Sequence, residues 1–524
     1  MAFHSLRFLI FFAITALMYF VAPRRYRWGV LLCMSYVFYL CSDLRAVFFL
    51  LFSTAATYGG ARLLERENRR LGENLAVPGL DAAAKRALRT VAAARKRRWC
   101  GLILLTNLGL LAAVRYTAFA LETVNALLPL ALPVPSLLQP LGLSFYVLQS
   151  TGYLLDVYRE EHEAEHSFLR YALFVGFFPQ LIQGPITRHS EVAEQLSAGQ
   201  GWSFENAARG LQLMLWGFFK KLVIADLLAV PVTAVFGDHG AYGGVLMFLA
   251  AALYGLQLYC DFSGGIDVAR GVARFFGIGL PENFRQPYFS TSVAVFWRRW
   301  HITLGGWMRD YLFYPLTLSR PIAALGKFSR KKWPGHFGRV LPSCLVSVIV
   351  FLVVGLWHGG AWKYVVYGLW HACFIALGNL LGPFLRRRRE AMGLRDGSRS
   401  LAGLKGVLTF GVVTLGYFFF RADTLSTAIS MLRRSIAHPW THQLFDGSLA
   451  ALGLGGAEAL TAALSLLLLL AVGILRERGH DMHEWLLAKP WAAQWAVLLL
   501  LTALTLYFGI FSDYVASEYI YMNF

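Results

Sequence analysis

Two histidines occupy the stretches of this chain densest in reactive and aromatic side chains. His358 falls in VVGLWHGGAWKY (353–364), at the end of a strongly apolar run and between Trp357 and Trp362. The next two residues, Gly359 and Gly360, remove side-chain bulk, so a substrate or another backbone can approach the imidazole closely. His301 falls in FWRRWHITLGGWMRDYLFYP (296–315). On a continuous helix Trp297, Trp300, Leu304, Trp307, Tyr311 and Tyr314 recur at three and four and make one aromatic stripe, flanked by His301, while Arg298, Arg299, Arg309 and Asp310 fall elsewhere. Such a helix can lie in a membrane interface with Trp and Tyr at headgroup level, a geometry compatible with function.

The chemistry open to these side chains is proton transfer. Moving an acyl group from a thioester to a hydroxyl requires removing the hydroxyl proton during attack, and a positioned imidazole contributes about 10² to 10⁴ in rate as general base. His358 is the candidate base, and a neutral histidine hydrogen-bonded within a packed core is the alternative. His301 would orient the thioester or stabilise the developing oxyanion. No GxSxG elbow or catalytic cysteine constellation occurs, which favours direct transfer over a covalent acyl-Ser or acyl-Cys enzyme. His371 lies thirteen residues past His358. That is about 220° round a continuous helix, so His371 faces elsewhere and reads as structural.

Further polar groups interrupt apolar surroundings: Asp261, Ser263 and Asp267 in YCDFSGGID, Lys220 and Lys221 in WGFFKKLVIAD, and Gln180, Gln183 and Arg188 in FFPQLIQGPITR. A charge at membrane depth costs about 2.5 to 3.5 kcal/mol on insertion scales, so these groups must pair or line a cavity. Pairing suits the Asp and Lys residues. Gln183, beside the Gly184–Pro185 break, suits a cavity wall equally well.

The elements that must hold these groups are membrane helices. The chain has 524 residues, 57% apolar and only 15% charged, against about a quarter charged in soluble domains. The apolar residues concentrate in runs at 6–22, 29–41, 47–61, 101–114, 137–155, 211–230, 244–259, 340–356, 365–381, 407–420, 452–475 and 491–511. An all-α polytopic protein is expected, with broken or re-entrant pieces such as 171–186, which carries Pro179, Gly184 and Pro185. The first run ends in Pro23, Arg24 and Arg25 rather than a cleavage site, and so reads as the first membrane helix. The net charge of +19 resides in short loops, so it argues for cytoplasmic loop enrichment and not for nucleic acid. Residues 62–98 hold eleven Lys or Arg against four acids and read as a cytoplasmic segment, Ala-rich and helical at the surface around 82–94. With 24–27, 327–339, 386–389 and 476–478 also inside, both termini come out extracytoplasmic. Six scattered cysteines suggest neither disulfides nor a zinc site, and no metal is expected.

The order FFPQLIQGPI, YCDFSGGID, NFRQPY, FWRRWHITLGGWMRDYLFYPL, VGLWHGGAW and FFFRA, from Phe177 to Ala422, resembles the membrane-bound O-acyltransferase family, in the bacterial branch of alginate O-acetylation and lipoteichoic acid D-alanylation. The resemblance implies a ring of transmembrane, broken and interfacial helices around a funnel where a cytoplasmic acyl thioester meets an acceptor from the opposite face. It puts the family's invariant histidine on His358 and its second polar position on His301. Tunnel or substrate contacts are expected at Trp297, Arg298, Trp300, Trp307, Arg309, Asp310, Trp357, Gly359, Gln183, Asp261 and Ser263. YCDFSGGID departs from the family, which carries Tyr and Ser after DFSG, so no hydroxyl stands at Gly265 or Ile266. The implied layout is N-terminal helices over 1–61, a basic cytoplasmic loop over 62–99, a catalytic core over 100–422, C-terminal helices over 423–511 and an extracytoplasmic tail over 512–524.

That tail ends in Tyr519, Ile520, Tyr521, Met522, Asn523 and Phe524 and resembles the aromatic ending of polysaccharide O-acetylating members, with Tyr519 and Met522 as departures. The resemblance implies that Tyr521 accepts the acyl group as a phenolic ester; a plain interfacial anchor is the other reading. The expected function is export of an acyl group, acetyl from acetyl-CoA or another acyl thioester, through a bacterial inner membrane for O-acetylation of a surface polysaccharide. No bound cofactor is implied. The expected partners are membrane lipid, a cytoplasmic thioester donor and an extracytoplasmic acetyltransferase. D-alanyl transfer to teichoic acid-type polymers, a polytopic transporter or glycan flippase, and an inactive scaffold are the alternatives.

Overall fold

The computed structural model describes residues 3–41, 44–128, 130–181, 183–393 and 398–510. The protein is all-helical, with no strand among the described residues. Inside a hydrocarbon layer no water is present to satisfy backbone N–H and C=O groups, and a helix satisfies them within its own segment. Among the described residues, eight helices are long and apolar enough to cross a membrane: α1 (Leu44–Leu75), α2 (Ala82–Leu127), α3 (Gly244–Phe275), α4 (His336–His358), α5 (Trp362–Ala391), α6 (Arg399–Arg421), α7 (Gly456–Glu477) and α8 (Trp491–Gly509). The chain is therefore a multi-pass membrane protein.

Two compact units divide it. The first is Met1–Leu211 with Ala269–Pro281, the second Gln212–Val268 with Glu282–Phe524. The expected 100–422 core is thus shared between them.

In the first unit the basic segment expected as a loop over 62–99 is helical. α1 runs on to Leu75 and α2 starts at Ala82, so only a short turn separates them. Ala, Leu, Arg and Glu are strong helix formers, and Asp81 caps the second helix by accepting the Ala84 N–H at 2.6 Å. Glu67 lies between Arg70 (3.5 Å) and Arg95 (3.8 Å). The surface helix expected around 82–94 therefore continues into the apolar run at 101–114 as one element of 46 residues.

The broken segment forms as expected. Helix Phe168–Gly176 stops at Phe177, Phe178–Leu181 adds one turn, and residues 183–188 are non-helical. Gly184 folds back on Gln180 so tightly that a Cβ would lie 2.1 Å from the Gln180 Cα.

Candidate active site

The second unit holds both candidate histidines. α4 ends on His358, the chain turns through 359–361, and α5 returns from Trp362. The helices can meet this closely because a Cβ on Gly355 would lie 2.3 Å from the Tyr364 carbonyl oxygen, and one on Gly368 would lie 2.2 Å from that of Phe351. His358 is buried, and rings wall it: Phe420 at 5.0 Å, Trp357 at 5.1 Å, Tyr367 at 6.1 Å and Tyr364 at 6.5 Å between centroids. Two expectations change here. A Cβ on Gly359 would stand 2.6 Å from the Tyr364 ring, so the room this glycine leaves is filled by the protein itself. Trp362 turns outward and is 52% exposed, whereas Trp357 packs inward.

His301 is held differently. The chain at Asn283–Arg285 runs antiparallel to Arg299–Ile302, through the Phe284–Trp300 bridge, Arg285 N–H to Arg299 O (2.9 Å) and Ile302 N–H to Asn283 O (3.0 Å). This pairing interrupts the helix. Val293–Arg299 stops, His301 takes the left-handed region at φ 48°, and a separate helix, Ile302–Met308, follows. The single aromatic stripe expected from Trp297 to Tyr314 is therefore broken. Trp300 is buried against Phe284 (5.0 Å) and Phe296 (5.4 Å), Trp307 lies tilted against Tyr311 (5.2 Å), and Tyr314 is exposed.

His301 is buried, with its ring 4.9 Å from Phe262 and 5.4 Å from Trp357. Its Nδ1 lies 3.2 Å from Asn283 Oδ1, which also accepts the Thr303 N–H and O–H, each at 3.0 Å. The residue lies outside the eight candidate spans, and burial pushes its pKa down to about 3, so the ring is uncharged at neutral pH.

Trp357 thus stands between the two imidazoles, 5.4 Å from one and 5.1 Å from the other. His371, set aside on the assumption of a continuous helix, joins the same aromatic group because the helix breaks after His358. Its ring lies 4.6 Å from Tyr367 and 5.1 Å from Trp297. Among the expected contact residues, Trp297, Trp300 and Trp357 gather here. Arg298 is exposed, Arg309 pairs with its neighbour Asp310 at 2.8 Å, and Arg299 forks onto Glu477 with both contacts at 2.9 Å. Gln183 belongs to the first unit, where it is fully buried. There the neighbouring Gln180 Oε1 accepts from the Gln149 Nε2–H at 3.0 Å and from the Thr187 O–H at 3.1 Å. Tyr521 lies outside the described residues. Asn283, Tyr364, Tyr367 and Phe420 were given no role from sequence, although NFRQPY and FFFRA, which contain the first and last, carry the signal.

Asp261 and Ser263 belong to a second cluster. The helix around Lys220 widens into a π-turn, Phe219–Ala225, which points two consecutive lysines inward. Lys220 Nζ donates to Asp267 Oδ2 (2.7 Å) and Ser263 Oγ (2.8 Å); Lys221 Nζ meets Asp261 (2.8 Å) and Asp226 (2.9 Å). All six side chains are buried. Close backbone approach makes this reach possible, since a Cβ on Gly217 would lie 2.6 Å from the Gly264 carbonyl oxygen.

The class that this fold and site define is a polytopic membrane enzyme built around buried imidazoles. Residues 100–330 match the MBOAT, membrane-bound O-acyltransferase, family model. The chain is 33% identical to the probable alginate O-acetylase AlgI of Pseudomonas aeruginosa over 438 residues, 82% of this chain and 74% of that one. It is 34% identical to the peptidoglycan O-acetyltransferase of Helicobacter pylori over 371 residues, 65% of each chain, and 27% identical to the teichoic acid D-alanyltransferase of Bacillus subtilis over 296 residues, 55% of this chain and 70% of that one. The chain belongs to the membrane-bound O-acyltransferase family and is an acyltransferase.

Proposed function

We propose that this acyltransferase moves an acetyl group from acetyl-CoA through a bacterial inner membrane for O-acetylation of a surface polysaccharide. The observation that carries the reading is the pair of buried imidazoles beside Trp357, His301 in the break between two short helices and His358 at the end of α4. Acetyl is preferred because the relatives named for O-acetylation are 33% and 34% identical and the one named for D-alanylation 27%. His358 takes the proton of the attacking hydroxyl as its oxygen bonds to the thioester carbonyl carbon. The carbon–sulfur bond then breaks, the imidazolium returns the proton to the departing thiolate, and an ester and a free thiol result. His301 serves as the second imidazole, and Trp297, Trp300 and Trp357 shape the space around the pair.

In this reading Tyr521 is the outgoing hydroxyl, since a phenolic ester is activated and a tethered acceptor makes the step local. An extracytoplasmic acetyltransferase then receives the group. The basic segments face the cytoplasm and both termini face outward.

The test supplies the full-length protein in proteoliposomes with radiolabelled acetyl-CoA and, separately, with a D-alanyl carrier protein, followed by mass analysis of the tail peptide. Label from acetyl-CoA on Tyr521 is expected. Label from the D-alanyl donor alone overturns the acetyl assignment, and label on another residue overturns the carrier role.

A further inference from the structure

Asn283 makes more contacts with the His301 segment than chain geometry requires. Its backbone carbonyl accepts the Ile302 N–H at 3.0 Å, and its side-chain oxygen accepts the Thr303 N–H and O–H at 3.0 Å each. A backbone N–H can only donate, so the amide atom facing it must be the oxygen; the orientation of the Asn283 side chain follows from chemistry rather than from choice. The same oxygen lies 3.2 Å from His301 Nδ1. An oxygen that only accepts must face a donor, so the proton of the neutral ring belongs on Nδ1 and the lone pair on Nε2.

We propose that Asn283 is a positioning residue that fixes the tautomer of His301, so that His301 enters acyl transfer through Nε2 as a hydrogen-bond acceptor and not as a donor to an oxyanion. The inference rests on the acyl-transfer reading of this site. It also accounts for the strained backbone, since a non-glycine residue at φ 48° is held there only where its surroundings over-determine it. Those surroundings are the Phe284–Trp300 bridge and the three hydrogen bonds to Asn283. Burial supports the neutral ring. A helper imidazole that accepts suits holding the attacking hydroxyl or an N–H of the donor; it does not suit stabilising negative charge. The Asn283 Nδ2 is buried as well and makes no hydrogen bond among the described residues, which gives the test its sharpest arm.

The experiment uses full-length protein in proteoliposomes and reads the rate, and the half-saturating acetyl-CoA concentration, for transfer of radiolabel from acetyl-CoA to the protein. Asn283→Ala is expected to lower the maximal rate about 10- to 100-fold, by analogy with groups that orient metal-binding imidazoles, with half-saturation changed less than about twofold. Asn283→Asp keeps the acceptor oxygen and loses the Nδ2 donor; it should recover to within about fivefold of the starting protein. Recovery absent in Asn283→Asp means the Nδ2 group carries the effect and overturns the proposal. The double variant Asn283→Ala, His301→Ala should be no slower than His301→Ala, because one residue acts through the other; multiplied losses also overturn it. If Asn283→Ala does not fold, Asn283→Ser replaces it: its oxygen is too short to reach the imidazole, so equal rates for Ser and Asp refute positioning. Full activity in His301→Ala would instead defeat the acyl-transfer reading beneath it, a result separable from failure at Asn283.

Discussion

One helix serves two polar clusters of opposite character. From α3, Asp261 and Asp267 reach Lys221 and Lys220 at 2.8 and 2.7 Å, and Ser263 completes the second contact. One residue past Asp261, about 100° further round, Phe262 leaves that face and sets its ring 4.9 Å from His301. Charge answers charge on one side, and aromatic rings enclose imidazoles on the other. Burying an ion costs several kcal/mol even after relaxation, and the partner must stay in place to offset it. A cluster held that way fixes helices to one another and has no partner to release for chemistry. A neutral imidazole needs no counter-ion, carries one proton and one lone pair, and can exchange either. The ion pairs thus suit a scaffold, and the ring-lined histidines suit the proton transfer proposed above.

The largest effect separating the two regions is at His358. Replacing it with Ala should lower acetyl transfer by about 10² to 10⁴ while the protein still purifies as a single species. Unchanged transfer, measured with radiolabelled acetyl-CoA in proteoliposomes, would break the division. The complementary change is Lys221→Met, which leaves Asp226 and Asp261 facing each other without their cation. Removing one member of a buried ion pair costs about 3 to 5 kcal/mol, so its unfolding midpoint in detergent should fall well below that of His358→Ala. A midpoint matching the starting protein would mean that the lysine is not holding the helices. Gly217→Ala should sharpen the same point with a smaller loss, about 1 to 3 kcal/mol, because its Cβ would press on the Gly264 carbonyl oxygen at 2.6 Å and the fix is a backbone shift.

How much of this was legible in the chain varies with the physical scale of the signal. The all-helical class and the broken segment within 171–186 follow from apolar length and from Pro179, Gly184 and Pro185, whereas the twelve apolar runs overcount the eight candidate spans among the described residues. The pairing of the Asp and Lys residues follows from the cost of an unpaired charge. The misread stretches are those where a distant segment overrides a local period. The stripe from Trp297 to Tyr314 obeys helical spacing, and only the antiparallel contact with Asn283–Arg285 breaks it at His301. His371 was placed by counting along one helix, and the break after His358 removes the premise. In the basic segment 62–98, the Ala-rich pattern announces the helix around 82–94, but not that it runs unbroken into the apolar stretch after it. Gly359 was assigned to substrate because nothing local announces that Tyr364 will occupy its space.

The smallest expected effect tests whether burial, rather than pairing as such, separates the clusters. Arg299 forks onto Glu477 with both contacts at 2.9 Å, and Arg476 meets Glu282 at 3.0 Å, so two ion pairs tie the segment before His301 to the end of α7. Their geometry is as good as that of Lys221 with Asp261. Their surroundings are not: the Arg299 and Glu477 side chains retain 25% and 34% of their exposure, against 0% and 1% for Lys221 and Asp261. Water and salt screen the exposed pair in both its presence and its loss, so Arg299→Gln should cost less than about 1 kcal/mol, and less still at high salt. The unfolding midpoint in low and high salt reads this directly, with acetyl transfer expected to stay within about twofold. A cost equal to that of Lys221→Met, insensitive to salt, would mean that these pairs stabilise by geometry alone, and the distinction between scaffold charge and reactive imidazole would have to be drawn on other grounds.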